Sequence, residues 1–182
     1  MLRARTNAEA HLYMDLHPCP SCGNAAFDRQ NRVVSKDGEL VSVYEGECSG
    51  CGGGRKFEFV LPDAIVPPTR PMSYGGDDAS QVLDPGEFLH VSDLYAVRIP
   101  ASPEEVSPEH RAGARLGLET AIAALREVLK FVPGGTDAVP ESAFTSELGR
   151  SVYAKEPGRF RKLRLEAVLG AYTGLLSRFG SG

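Results

Sequence analysis

The chain contains four cysteines, in two pairs: Cys19-Pro20-Ser21-Cys22 and Cys48-Ser49-Gly50-Cys51. Twenty-five residues separate the pairs. A two-residue gap lets one tight turn aim two thiolates at a single ion. Two such turns complete the tetrahedron that Zn2+ prefers, with Zn–S near ~2.3 Å. The flanking residues favour that turn: Pro20 fixes φ inside the first pair, and Gly50 lies inside the second. Gly23 and Gly52 directly follow the pairs. Glycine takes positive φ at little cost, which lets backbone N–H groups turn towards the sulfurs. The spacing therefore predicts one four-thiolate Zn2+ site made of Cys19, Cys22, Cys48 and Cys51. Its alternatives are two disulfides or a redox-active pair. A redox pair normally opens a helix in a β-α-β setting, and paired disulfides suit a secreted chain. Four sulfurs leave no coordination position for water, so the ion is expected to be structural, not catalytic.

The residues around the pairs read as short strands. Thr6-Asn7-Ala8-Glu9 has the form of a capping box and predicts a short helix through about Leu16. Asn31 to Ser35 is a strand candidate, and Lys36-Asp37-Gly38 is a hairpin turn signal. Leu40, Val41, Val43 and Tyr44 form a β-prone run before the second pair. Lys56 to Leu61 follows, with Phe57, Phe59 and Leu61 alternating against Glu58 and Val60. Between them, Gly52-Gly53-Gly54-Arg55-Lys56 reads as a flexible turn, because it lacks the spacing of a phosphate loop and precedes a strand. Residues 1–62 are expected to form one small domain. So small a unit buries little apolar surface, and a metal compensates for that.

Residues 63–83 read as a linker, broken by Pro67-Pro68, Pro71, Gly75-Gly76 and Asp77-Asp78, with Met72 and Tyr74 as anchors. Residues 84–182 read as helical. Asp84-Pro85-Gly86-Glu87 offers an N-cap, a proline at the first helical position and an acid at the third, and that helix should reach about Val97. Ser107-Pro108 starts the next, which carries Leu118, Ile122, Leu125 and Leu129 and stops at Pro133-Gly134-Gly135. A third is expected over Pro140–Ala154, with Phe144, Leu148 and Val152 on one face. A fourth is expected over Arg159–Arg178, presenting Leu165, Leu169, Tyr172, Leu176 and Phe179. Gly170, Ala171 and Gly174 read as a closely packed core contact. The fold class is therefore α+β: an N-terminal β-hairpin module, then a roughly four-helix domain with short connections.

Formal net charge is −4, which gives no prior for nucleic acid. Its distribution is more informative. Residues 1–66 carry seven Lys/Arg against nine Asp/Glu, whereas residues 158–182 carry five basic residues and one acid. Arg159, Arg161, Lys162 and Arg164 lie at a predicted helix N-terminus, where the macrodipole opposes positive charge by about 0.3–1 kcal/mol per group. Charge held against local preference marks these four as candidate partner-binding residues. His11 and His17 lie near the first cysteine pair but are surplus to a filled tetrahedron. His90 and Asp93 share a helix face, yet no nucleophile accompanies them, so no catalytic residue is assigned. No run of about 18 apolar residues exists to span a membrane, and no signal-peptide pattern opens the chain, so a cytoplasmic location is expected.

Residues 19–61 resemble zinc ribbons, a broad group that ranges from transcription factors to protein-interaction modules. The resemblance implies the ligand set and a knuckle–hairpin–knuckle–strand order, but no single function. Many nucleic-acid-binding ribbons carry arginine and aromatic residues along the hairpin. Here it carries Asp37, Glu39, Glu45 and Glu47. The stretches Glu9–Cys19, Glu127–Pro133 and Val139–Phe144 resemble small bacterial immunity-type proteins encoded beside polymorphic toxins. That resemblance implies a non-catalytic inhibitor of a cognate toxin. The expected function is thus a zinc-binding protein-interaction module, an immunity or adaptor protein. A nucleic-acid-binding regulator and an enzyme with an unrecognised site are the alternatives.

Overall fold

A computed structural model describes residues 1–62, 72–100 and 102–179. Residues 63–71 of the expected linker, with Pro67-Pro68 and Pro71, lie outside them. The class is α+β: the described residues form one four-stranded sheet and five α-helices. The chain divides into two compact units, Met1–Pro67 with Tyr74–Gly76 and Ser80–Val82, and Pro68–Ser73 with Asp77–Ala79 and Leu83–Gly182.

In the first unit, β1 (Leu2–Arg3) leads into α1 (Asn7–Leu16). Thr6 caps α1 by accepting the Glu9 N–H at 3.1 Å. The expected capping box is displaced by one residue, because the Glu9 carboxylate reaches past Thr6 to the Arg5 N–H at 2.6 Å. Strands β2 (Gln30–Lys36) and β3 (Glu39–Glu47) form the hairpin. Asp37 and Gly38 both have positive φ, which is the two-residue turn whose twist matches paired strands. Strand β4 (Gly54–Val60) pairs antiparallel with β3, and β1 adds a parallel edge, giving the order β1-β4-β3-β2. Two residues without alternation give no periodic signal, so β1 was not legible in the sequence.

Strand alternation gives the sheet two apolar faces. Tyr44, Phe57 and Phe59 turn towards Ala10, Tyr13 and Met14 of α1, with Phe27 alongside. Val41, Val43 and Val60 are buried on the other face. There Lys36 and Glu58 form an ion pair at 2.6 Å. They belong to β2 and β4, so the pair crosses β3 on the face carrying Val41 and Val43. The expected flexible turn after Cys51 is corrected: Gly54 and Arg55 already belong to β4, and Arg55 is buried. Tyr74 is buried too, and its carbonyl accepts the Thr6 hydroxyl at 2.8 Å.

The second unit opens with α2 (Pro85–Ala96), whose capping box is complete. Asp84 accepts the Gly86 and Glu87 N–H groups, and the Glu87 carboxylate accepts the Asp84 N–H at 2.8 Å. Short 3-10 turns at Pro103–Glu105 and Pro108–His110 precede α3 (Arg111–Lys130). Helix α2 packs on α3 and on α4 (Glu147–Lys155), and α3 packs on α5 (Lys162–Arg178). The core gathers Phe88, Leu118, Ile122, Leu125, Val128, Phe160 and Leu165.

Three expectations for this unit are corrected. The third helix starts at Glu147 rather than Pro140, because Ser146 caps it by accepting the Gly149 N–H. Phe144 therefore precedes the helix and packs edge-on against Phe160, with ring centroids 4.7 Å apart. The last helix starts at Lys162, since Pro157–Phe160 form a 3-10 turn and Arg161 is extended. Gly170, Ala171 and Gly174 are exposed, not core, and space around Gly170 and Gly174 is open.

Candidate metal centre

The two cysteine pairs form matching turns. In the first, the Gly23 N–H donates to Cys19 O at 2.8 Å and the Cys19 N–H to Asn24 O at 2.9 Å. In the second, the Gly52 N–H donates to Cys48 O at 2.9 Å and the Cys48 N–H to Gly53 O at 2.9 Å. Gly23 and Gly52 have φ of +73° and +72°, the conformation expected of a glycine closing each knuckle. A bridge between Phe27 and Cys48 joins the knuckles.

All four Sγ atoms lie within 4.8 Å of one another. The Cys19–Cys51 sulfurs are 3.8 Å apart and the Cys22–Cys48 sulfurs 3.5 Å. A tetrahedron with ~2.3 Å metal–sulfur bonds has edges of about 3.8 Å. The donor set therefore fits a four-coordinate ion, and all four cysteines are free thiols. Cys19 and Cys48 are buried, whereas Cys22 and Cys51 are exposed.

The knuckle amides favour thiolate. The Ser21 amide, with that of Cys22, holds the Cys19 thiol down to about 6. The Gly50 and Cys51 amides lower Cys48. The Asn24 amide favours the Cys22 thiolate as well, but the neighbouring sulfurs, that of Cys48 foremost, together with local desolvation outweigh it and push Cys22 up to about 12. Metal uptake at such a site releases the protons that remain.

No other group of His, Cys, Asp or Glu among the described residues is placed to hold an ion. His17 is committed elsewhere: its Nδ1 meets Tyr13 O at 2.7 Å, and its ring stacks on Tyr13 at 3.8 Å. His11 stands edge-on to Tyr44, and burial lowers its pKa.

Sequence reasoning missed Arg55. Its Nη2 donates to His17 O at 2.5 Å and its Nη1 to Asn24 O at 3.5 Å, one carbonyl on each side of the first knuckle. The guanidinium lies 5.4 Å from the Phe27 ring centroid and 5.1 Å from that of Phe57. The available signal was its parity: Arg55 shares the alternation of Phe57 and Phe59, and so points to the α1 side of the sheet.

The four candidate partner-binding residues are far from equivalent. Arg159 makes two bonds to Asp93, at 2.6 and 2.8 Å. Arg164 pairs with Glu156 at 2.6 Å, and Lys162 approaches Glu166 at 4.0 Å. Arg161 is exposed. Asp93 is thus engaged by Arg159, not by His90. No described helix is long and apolar enough to cross a membrane. Comparison with protein-family models, curated proteins and solved structures finds no match for this chain.

Proposed function

We propose that this chain is a non-enzymatic interaction protein whose N-terminal unit is a zinc ribbon held by one structural Zn2+. It binds and inhibits a protein partner with a basic surface, as an immunity or adaptor protein does against a cognate toxin. Zinc is favoured over other ions because four thiolates in a closed tetrahedron suit it, and leave no site for a reacting water.

One observation carries the choice of partner. Every lysine and arginine among residues 1–62 is already engaged within that unit. Arg3 pairs with Glu39, Arg5 with Glu9, Arg29 with Asp15, and Arg32 with Glu45. Lys36 and Lys56 share Glu58, and Arg55 is buried on two carbonyls. Asp28, Asp37 and Glu47 have no cationic partner among the described residues, and Asp28 and Glu47 flank the second knuckle. Four thiolates on Zn2+ add two further negative charges. An acidic surface of this kind suits a basic partner and speeds association.

The test is recovery of a stoichiometric complex from the native host, followed by association rates at several salt concentrations. The reading expects a basic partner and slower association for Asp28→Lys and Glu47→Lys. Recovery of the chain alone, or rates untouched by both changes, contradicts it. Little in the basic run favours the nucleic-acid alternative, because Arg159, Lys162 and Arg164 all have acidic partners. Salt-sensitive binding to RNA or DNA at low ionic strength would support that alternative.

A further inference from the structure

A buried guanidinium is costly unless its charge and its donors are satisfied. Arg55 is 8% exposed. Its partners are two carbonyl oxygens and two aromatic faces, and no carboxylate among the described residues pairs with it. Carbonyls and rings satisfy the donors but supply no formal counter-charge.

The location answers the imbalance. Asn24 O accepts from Arg55 and also from the Cys19 N–H, so the guanidinium is one hydrogen bond removed from a ligand. Arg55 itself follows the second knuckle directly along the chain, at the start of β4. One side chain thus ties the strand leaving the second knuckle to both ends of the first. The Phe27 and Phe57 rings hold it in place. A four-thiolate site with a divalent ion carries two net negative charges, which is the counter-charge a buried cation beside it lacks.

We propose that Arg55 is the positioning residue of the metal centre. It holds the first knuckle in ligand geometry before an ion arrives, and it offsets the negative charge of the filled site. This rests on the reading of the four cysteines as a metal centre. Lysine cannot replace it fully: an ammonium keeps the charge but lacks the planar fork that reaches two carbonyls at once.

The test compares the reduced full chain with Arg55→Met, Arg55→Lys and, as a control, Arg32→Met, whose cation is exposed and paired with Glu45. Zn2+ affinity and the rate of Zn2+ transfer to a chromophoric chelator are measured for each. The expected result is an affinity loss of about 10–100-fold for Arg55→Met. Arg55→Lys should give a smaller loss, and Arg32→Met none. Amide exchange of the metal-free protein gives a second readout. The Cys19 N–H, bonded to Asn24 O, should be protected in the original chain and exchange faster in Arg55→Lys. If Arg55→Met does not fold, Arg55→Lys decides alone. Affinity, release rate and Cys19 protection unchanged in Arg55→Lys overturn the proposal while leaving the metal centre intact. Absence of Zn2+ uptake by the original chain overturns both.

Discussion

Asp84 Oδ2 accepts the Ser146 N–H at 2.8 Å, which ties the start of α4 to the residue that caps α2. The same oxygen accepts the Thr145 N–H at 3.0 Å, and Oδ1 accepts those of Gly86 and Glu87. One buried carboxylate thus satisfies four backbone donors. Asp84→Ala removes a helix cap and leaves buried donors unmet, at a cost of about 2–4 kcal/mol. Urea unfolding checks the loss.

The close approach behind that bond makes Gly149 irreplaceable. A Cβ there would stand 2.1 Å from Asp84 Oδ1, and one on Gly86 would stand 2.5 Å from the Gly149 Cα. Gly149→Ala should destabilise the second unit by about 1–3 kcal/mol, despite alanine's better helix propensity. A unfolding midpoint at or above that of the original chain counts against this packing.

Glu87 gives stability a pH dependence of unusual sign. Burial pushes its carboxyl up from 4.5 to about 7, against the pull of the Asp84 N–H. A carboxyl with a higher pKa when folded binds protons preferentially in the folded state. Its contribution is therefore most favourable below pH 4.5 and is lost as pH rises to 7, a change of up to about 3 kcal/mol. Glu87→Gln keeps an acceptor for the Asp84 N–H and should flatten this slope. Unfolding free energies across that window measure it.

Glu58 has the opposite sign. Lys36, then Lys56, hold its carboxyl down to about 2. The stabilisation is present above pH 4.5 and lost as pH falls towards 2. Glu58→Gln should make acid unfolding of the sheet less steep between those values, as followed by the tyrosine signals of the first unit.

The legible parts were those set by local chemistry. Cysteine spacing with Gly23 and Gly52, the Asp37-Gly38 turn and the Asp84 cap each encode a conformation within four or five residues. Misread parts depended on distant partners. Helix α4 starts after Ser146 and not at Pro140, because the Ser146 hydroxyl accepts the Gly149 N–H while its own N–H meets Asp84. Arg55 looked like a loop residue because the glycines before it hid a strand whose parity turns it inward. The small residues of α5 looked like a packing stripe, but the helix buries its Leu165 side instead.

Cobalt(II) substitution tests the central claim most directly. The reduced chain should take up one Co2+, displaceable by Zn2+, with the strong visible absorption and thiolate charge-transfer bands of a tetrahedral four-sulfur site. All four cysteines should resist alkylation until a chelator removes the ion. No uptake, the weak spectrum of an oxygen-ligated ion, or alkylation of Cys19 and Cys48 at free-thiol rates in the loaded protein would contradict the account.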